Sequence, residues 1–320
     1  MTDQPTQRTT RLAPSPTGAL HLGNARTFLV NWALGRKHGW RIIMRIEDLD
    51  GPRIKPGAEA QSIDTLGWLG LDWDGDLTRQ SDDLAPYRRA MEKLASHAGA
   101  FPCSLTRKEI ESAASAPQEG TGENRFPTEL RPTLVSRPFD ETDVNWRFVC
   151  PERAVEFNDV FAGPQQHTPG NTVGDFVIWT QRGEPAYQLA VVVDDARQGV
   201  NEVVRGDDLL DSTARQLLLY EALSLGSPPT YTHLPLVRGP DGRRLAKRHG
   251  DTRLVRYRRA GVAPERVVGL LAAWSGVLPR RSPRPMTADE FRDRFDLRIM
   301  SPDPVVLDDE DEQWLTDSAS

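Results

Sequence analysis

The chain reads as an α/β protein built on a parallel sheet, and three observations carry that reading. Residues 11–46 run strand, glycine-rich turn, helix, strand, which is how a βαβ unit opens. A second series of strand, helix and strand follows in NEVVRG, 212–225 and THLPLV. Between them YQLAVVVDD is apolar at every position from Leu189 to Val193, as suits a strand covered on both faces by helices.

In order, the first strand ends at 11–13 and hands over to RLAPSPTGALHLGNART, where two prolines and two glycines crowd the turn. Proline fixes φ and glycine admits conformations that other residues avoid, so the backbone takes a special path there, one that serves a ligand. A helix follows over 21–38, with Leu22, Phe28, Leu29, Trp32 and Ala33 on one side. WRIIMRI is the next strand and ends in Glu47, Asp48 and Asp50. Helical patterns at 57–69 and 83–97 flank a loop containing LDWDGD. Over 116–144 periodicity fades among Pro, Gly, Ser and Thr, which predicts an irregular, mobile stretch. FVIWTQ and YQLAVVVDD read as a hairpin turning at 182–186, its second arm rejoining the parallel sheet. After NEVVRG, the Asp211-Ser212 cap signal starts a helix over 212–225, and THLPLV is the following strand. The basic loop GPDGRRLAKRHGD leads to helices at 252–260 and 264–274. The tail from Arg280 alternates proline with charge and ends acidic, in VVLDDEDEQW, and no internal repeat is visible.

Composition narrows the class. A chain of 320 residues, 38% hydrophobic and 27% charged, is globular and long enough for one large or two ordinary domains. A net charge of -6 argues against a non-specific nucleic-acid coat and leaves local basic patches open. The two cysteines, Cys103 and Cys150, have no C-x-x-C spacing, and MTDQPTQRTT lacks the apolar core of a signal peptide. No run approaches a membrane span. The expected compartment is the cytoplasm.

Two elements carry chemistry. A glycine turn before a helix N-terminus makes an anion site, because unpaired N–H groups and the helix dipole point outward together. His21 and Asn24, three apart on the first helical turn, can both face the bound group as donors, although a merely capped helix would carry the same spacing. The distant loop Arg243 to His249 can swing a lysine, Lys247, onto phosphates whose charge develops in a transition state. Taken alone such a loop is equally a solvated surface; the pairing with the glycine turn changes that.

APSPTGALHLGN resembles the HIGH region of the class I aminoacyl-tRNA synthetases in the form used by the glutamyl branch, and RLAKR resembles their KMSKS loop. RIEDLD, YQLAVVVDD and EVVRGDDLL resemble three further blocks of that branch, in the expected order over residues 11–248. EDLDGPR and the short length resemble its shortened paralogues, which lack an anticodon-binding domain. The resemblance implies a Rossmann-like catalytic domain over 1–100 and 185–240, an inserted α+β acceptor-type subdomain over 101–184, and over 241–320 the lysine loop with a truncated, helical, stem-contact-like region. It also implies that glutamate is activated by ATP-Mg²⁺ without tRNA and passed to queuosine at the wobble position of tRNA(Asp). Matching positions then place glutamate against Arg11, Ala13, Ser15, Glu47, Tyr187 and Arg205. Glu47 would receive its ammonium, and Arg205 would demand a charged side chain. ATP falls to Pro14, Gly18, His21, Gly23, Asn24, Arg244 and Lys247, with His21, Asn24 and Lys247 as the catalytic set.

Departures from the pattern bear on these expectations. Asn24 stands for the second histidine of HIGH, and Arg244, Ala246 and Arg248 occupy the first, third and fifth places of the lysine loop. The family's zinc positions fall on Cys103, Leu105, Phe126 and Leu130, and one thiolate cannot hold a four-coordinate metal, so no zinc is expected and Cys103 is a small buried side chain. FDLRIMSPDPVVLDDEDEQW resembles the start of a stem-contact region, either a structural cap on 252–274 or a leftover tail. RNA contact is assigned to Arg244, Lys247, Arg248, Arg253, Arg256, Arg258 and Arg259, which could equally be a solvated helix face. Two rival functions remain: a truncated glutamyl-tRNA synthetase charging the 3′ end of tRNA(Glu), and a non-catalytic RNA- or nucleotide-binding module of synthetase descent.

Overall fold

The computed structural model describes residues 7–106, 108–110, 125–140, 143–243, 245 and 251–317. Strand β1 (Thr9–Leu12) is buried along its whole length and runs into the proline-glycine turn, after which α1 (Leu22–Lys37) starts on a histidine cap. Helix α1 leads back to β2 (Arg41–Ile46), paired parallel to β1 from Thr9 opposite Arg41 to Leu12 opposite Met44. Alternation along β2 serves both faces of the sheet: Ile42 and Met44 join the cluster under α1, while Ile43 packs with Val203 and Tyr231 on the other side.

Helix α2 (Ala58–Trp68) follows, then the short β3 (Thr78–Arg79) pairs parallel to β2, and α3 (Ala85–Ser96) closes this part. The chain then leaves the parallel sheet. β4 (Ala100–Cys103), β5 (Asn145–Phe148) and β8 (Val177–Trp179) make an antiparallel sheet, and β6 (Val155–Asp159) with β7 (Gly163–His167) makes a hairpin, followed by the single turn α4 (Pro169–Thr172). Residues 125–140 carry only an isolated bridge and a 3-10 turn, which agrees with the irregular stretch read there; 111–124 and 141–142 lie outside the described residues.

Two sequence expectations are overturned, the first of them here. YQLAVVVDD is not a strand: α5 (Tyr187–Arg197) is a helix buried from Gln188 to Asp195. A short apolar run bounded by turn signals fits a buried strand and a fully enclosed helix equally well, so periodicity could not separate them. The polar flanks decide it. In helical phase Gln188 donates to Ser212 Oγ at 3.1 Å and accepts from Gln216 at 2.9 Å, while Asp194 and Asp195 reach buried cations.

The chain rejoins the sheet at β9 (Glu202–Gly206). Asn201 N–H donates to the Thr9 carbonyl at 3.0 Å and Thr9 N–H to Asn201 Oδ1 at 2.7 Å, so β9 lies beside β1. Helix α6 (Leu210–Leu223) crosses to β10 (Thr230–Leu234), parallel to β9, and β11 (Val237–Arg238) follows. Ser212 does not cap α6: the helix starts two residues earlier, off a 3-10 turn at Asp207–Leu209, and Ser212 instead accepts from Gln188 and Arg215. The spatial order β3-β2-β1-β9-β10 reverses direction between β1 and β9, and open α/β sheets bind ligands at the carboxyl ends of strands at such a point.

Helices α7 (Leu254–Arg259), α8 (Pro264–Trp274) and α9 (Ala288–Arg294) complete the face under α1, with Phe291 and Phe295 fully buried. The tail is a structural cap: β12 (Val305–Val306) pairs parallel to β11, and α10 (Asp309–Thr316) packs on α8 with Leu315 in the main core. No helix among the described residues is long and apolar enough to cross a membrane.

Candidate active site

At the reversal point a cleft of about 180 Å³ opens, lined by the ends of β1, β2 and β9 and the first turns of α1 and α5. It is smaller than the roughly 300–1,000 Å³ of drug-sized pockets and suits a ligand of amino-acid size. Of the residues singled out in the sequence, Arg11, Ala13, His21, Gly23, Asn24, Glu47, Tyr187 and Arg205 all line it. Pro14, Ser15 and Gly18 do not, although the Pro14 carbonyl accepts from Glu47 N–H at 3.1 Å and so ties the turn to the end of β2. Arg244, Ala246, Lys247 and Arg248 lie outside the described residues.

His21 and Asn24 differ from the expectation that both simply face a ligand. They form a capping box: His21 Nδ1 accepts from Gly23 N–H at 3.1 Å and Asn24 N–H at 3.3 Å, while Asn24 Oδ1 accepts from His21 N–H at 3.3 Å. With Nδ1 an acceptor, the neutral ring carries its proton on Nε2, and the Asn24 amide nitrogen is its donor end. Gly23 packs closely on the cap: a Cβ there would meet the His21 ring at 3.1 Å, so a larger residue would press the ring aside by a few tenths of an ångström.

Beneath the cleft lies a buried ionic network. Arg45 is wholly enclosed and contacts Asp195 at 2.7 Å, Glu47 at 3.1 Å and Asp194 at 3.9 Å. These carboxylates outweigh the cost of burial and hold the Arg45 guanidinium well above the usual arginine range. Asp195 also takes Arg11 Nε at 3.3 Å, and Asp194 accepts from Tyr87, Gln80 and Arg197. Glu47 is thereby held at the cleft floor by a fixed cation.

Arg205 is treated differently. Its Nε donates to His233 Nε2 at 2.9 Å and its Nη2 to Thr213 Oγ1 at 2.8 Å, both neutral acceptors, and the guanidinium sits 5.2 Å over the Tyr231 ring. Its Nη1 is buried with no hydrogen-bond partner among the described residues. Arg205 is thus a buried cation among the residues that line the cleft, with one donor that no described residue uses.

The sequence reading missed the supports. Asn31 lines the cleft and its side chain grips β1, donating to the Arg11 carbonyl at 2.9 Å and accepting from Thr10 Oγ1 at 2.8 Å. An asparagine on the core side of a helix was the available signal. In the arginine cluster Arg253 pairs with Asp251 at 2.5 Å, Arg256 with Glu312 at 3.2 Å and Arg258 with Asp64, all three side chains still 40–52% exposed; Arg259 is exposed, and Arg244, Lys247 and Arg248 lie outside the described residues. Cys103, Leu105, Phe126 and Leu130 come together with Phe101 and Ile110 in one apolar cluster, whose donor set does not fit a metal.

Residues 7–314 match the catalytic domain of the class I tRNA synthetases (E and Q). The chain is similar to the glutamyl-Q tRNA(Asp) synthetase of Rhodopirellula baltica, at 46% identity over 93% of this chain and 96% of that one. It is similar also to the glutamate–tRNA ligase of Aquifex aeolicus, at 37% identity over 96% of this chain and 65% of the ligase. The crystal structure of a glutamate tRNA ligase from Elizabethkingia meningosepticum in complex with its amino acid superimposes with a TM-score of 0.79 at 29% identity, covering 97% of this chain and 68% of that one.

Proposed function

The chain belongs to the class I tRNA synthetases of the E and Q type, and from that premise we propose that it is an ATP-dependent ligase that activates glutamate and passes it to queuosine in tRNA(Asp). The observation that carries the glutamate half is the buried guanidinium of Arg205, a lining residue of the cleft that meets no carboxylate and whose Nη1 has no hydrogen-bond partner among the described residues. The acceptor half is supported by relatives of near-equal length that bear that name in Rhodopirellula baltica and Symbiobacterium thermophilum.

In the first step an oxygen of the glutamate α-carboxylate attacks the α-phosphorus of ATP. The bond to the bridging oxygen breaks, and pyrophosphate leaves with that electron pair. Positioning and fixed charge supply the catalysis. Glu47 receives the ammonium, Arg205 the side-chain carboxylate and Arg11 further carboxylate charge, with Ala13, Ser15 and Tyr187 shaping the subsite. Glutamine is rejected because its neutral amide would leave the Arg205 guanidinium unpaired. The capped start of α1, through His21, Gly23 and Asn24, faces the nucleotide together with Pro14 and Gly18, and Arg244 and Lys247 bear on the triphosphate with its Mg²⁺. In the second step a hydroxyl of the queuosine cyclopentene ring attacks the acyl carbon and AMP leaves. No side-chain nucleophile and no zinc enter either step. The division at 101–184 and 241–320 belongs to the same proposal.

The test is transfer of radiolabelled glutamate, with ATP, to total tRNA from queuosine-making cells and from matched cells that cannot make it. Label confined to the first pool is expected. Equal labelling of both would identify an ordinary charging ligase instead. In the same assay Lys247→Ala is expected to slow adenylate formation by about a hundredfold or more; near-normal rates would remove the lysine loop from the mechanism.

A further inference from the structure

We propose that Asp159 and His233 act together as a positioning pair that aims Arg205 into the cleft while leaving its charge unspent. The proposal rests on the glutamate reading above and adds two residues that touch neither substrate nor reacting atoms.

The geometry is a chain of three buried groups. His233 lies directly opposite Arg205 in the β9–β10 ladder, and Arg205 Nε donates to His233 Nε2 at 2.9 Å. On the other side of the ring Nδ1 is 2.6 Å from Asp159 Oδ2, and both side chains are fully enclosed. An Nε2 that accepts requires the neutral ring's proton on Nδ1, where the carboxylate takes it, so one tautomer satisfies both contacts. Asp159 is itself fixed: its Oδ1 accepts from Phe161 N–H at 3.0 Å and Ala162 N–H at 2.8 Å, closing the β6–β7 turn. That hairpin is docked on β10 through Val160 N–H to the Tyr231 carbonyl at 2.9 Å. A piece of chain outside the parallel sheet thus anchors a cation inside it.

The contrast with Arg45 shows what the imidazole achieves. Arg45 meets three carboxylates directly and is neutralised in place. Among the described residues the guanidinium of Arg205 donates to His233 Nε2 and Thr213 Oγ1 and lies over the Tyr231 ring, and the balancing anion stands one ring further off. A carboxylate set directly against Arg205 would compete with the ligand's own; an imidazole backed by a carboxylate fixes the fork without competing.

The experiment is glutamate-dependent exchange of pyrophosphate into ATP, measured with the full chain as KM for glutamate, KM for ATP and kcat. His233→Asn can still reach Asp159 but places nothing at the Nε2 position, whereas His233→Gln puts an acceptor there. His233→Asn is expected to raise KM for glutamate roughly tenfold or more, the scale of a charge-assisted hydrogen bond, with KM for ATP within about twofold. His233→Gln is expected to bring it back to within about threefold of the wild type. Where His233→Asn does not fold, Asp159→Asn is compared with His233→Gln instead and should weaken glutamate binding selectively. Unchanged KM for glutamate in a folded variant, or an equal rise for both substrates, would overturn the pair while leaving the glutamate reading intact. A wild-type protein without glutamate-dependent exchange would overturn both.

Discussion

Two arginines a few residues from one cleft differ in what surrounds them, and that difference, rather than residue type, separates structure from binding. Arg45 faces three carboxylates, whereas Arg205 meets neutral acceptors and an aromatic ring among the described residues. The sequence named Arg11, Glu47, Tyr187 and Arg205 because a family resemblance marks them, and they do line one cleft. Asp159 carried no such mark, since nothing local ties the end of a hairpin to a histidine 74 residues on. Burial lowers the His233 pKa below the ordinary histidine value of 6.5, opposed by the Asp159 hydrogen bond and reinforced by the Arg205 and Arg11 cations. Below about pH 6.5 the unfolded chain therefore binds more protons at this site than the folded one, and stability falls as pH falls. Asp159, held below the carboxylate range by His233 and the Ala162 amide despite its burial, adds a loss only in stronger acid. The urea midpoint should drop between pH 7 and pH 5, and drop less in His233→Gln; parallel curves would show that His233 protonates freely in the fold.

Among elements, those whose length and flanking turns settle their type were legible and α5 was not. Strands β2, β9 and β10 are buried along nearly their whole length, and each was legible as a short apolar run bounded by turn signals. Helix α5 has apolar surroundings on every side along its middle, so its sequence carries no phase, and only the partners of Gln188, Asp194 and Asp195 reveal the helix. The packing of α9 on α1 is the other load in this layer. Phe291 is fully buried and stacks on Phe295 with ring centroids 5.0 Å apart. Phe291→Ala should cost about 3–5 kcal/mol, transfer term and cavity together. A loss below about 1 kcal/mol in chemical denaturation would mean that α9 collapses into the gap and contributes little.

At the scale of the whole molecule the acidic tail decides whether there is one folding unit or two. The sequence left it as either a structural cap or a leftover tail, and its acids have specific cationic partners. Asp311 is buried, takes both arms of Arg280 at 2.5 and 2.6 Å, and accepts from Trp274 Nε1 at 3.2 Å. Glu312 accepts from Arg256 at 3.2 Å and from the Tyr257 hydroxyl, so an arginine expected at an RNA contact also grips the tail. The segment before α7 in turn braces the turn before α1, with Leu22 N–H on the Thr252 carbonyl at 3.2 Å and Leu254 N–H on the Leu20 carbonyl at 2.9 Å. Asp311→Ala removes a buried carboxylate and strands a cation that is one-third exposed, so the cost should fall below that of a fully buried pair, at about 2 kcal/mol. Of the eight tryptophans Trp274 and Trp314 sit at the junction, so the fluorescence difference between each protein and its Trp314→Phe counterpart serves as the local probe and far-UV circular dichroism as the global one. If the tail belongs to the cooperative core, both signals shift together in the variant, as one transition. An earlier fluorescence transition, with the circular dichroism midpoint unmoved, would show a tail that unfolds by itself and would detach it from the brace on α1.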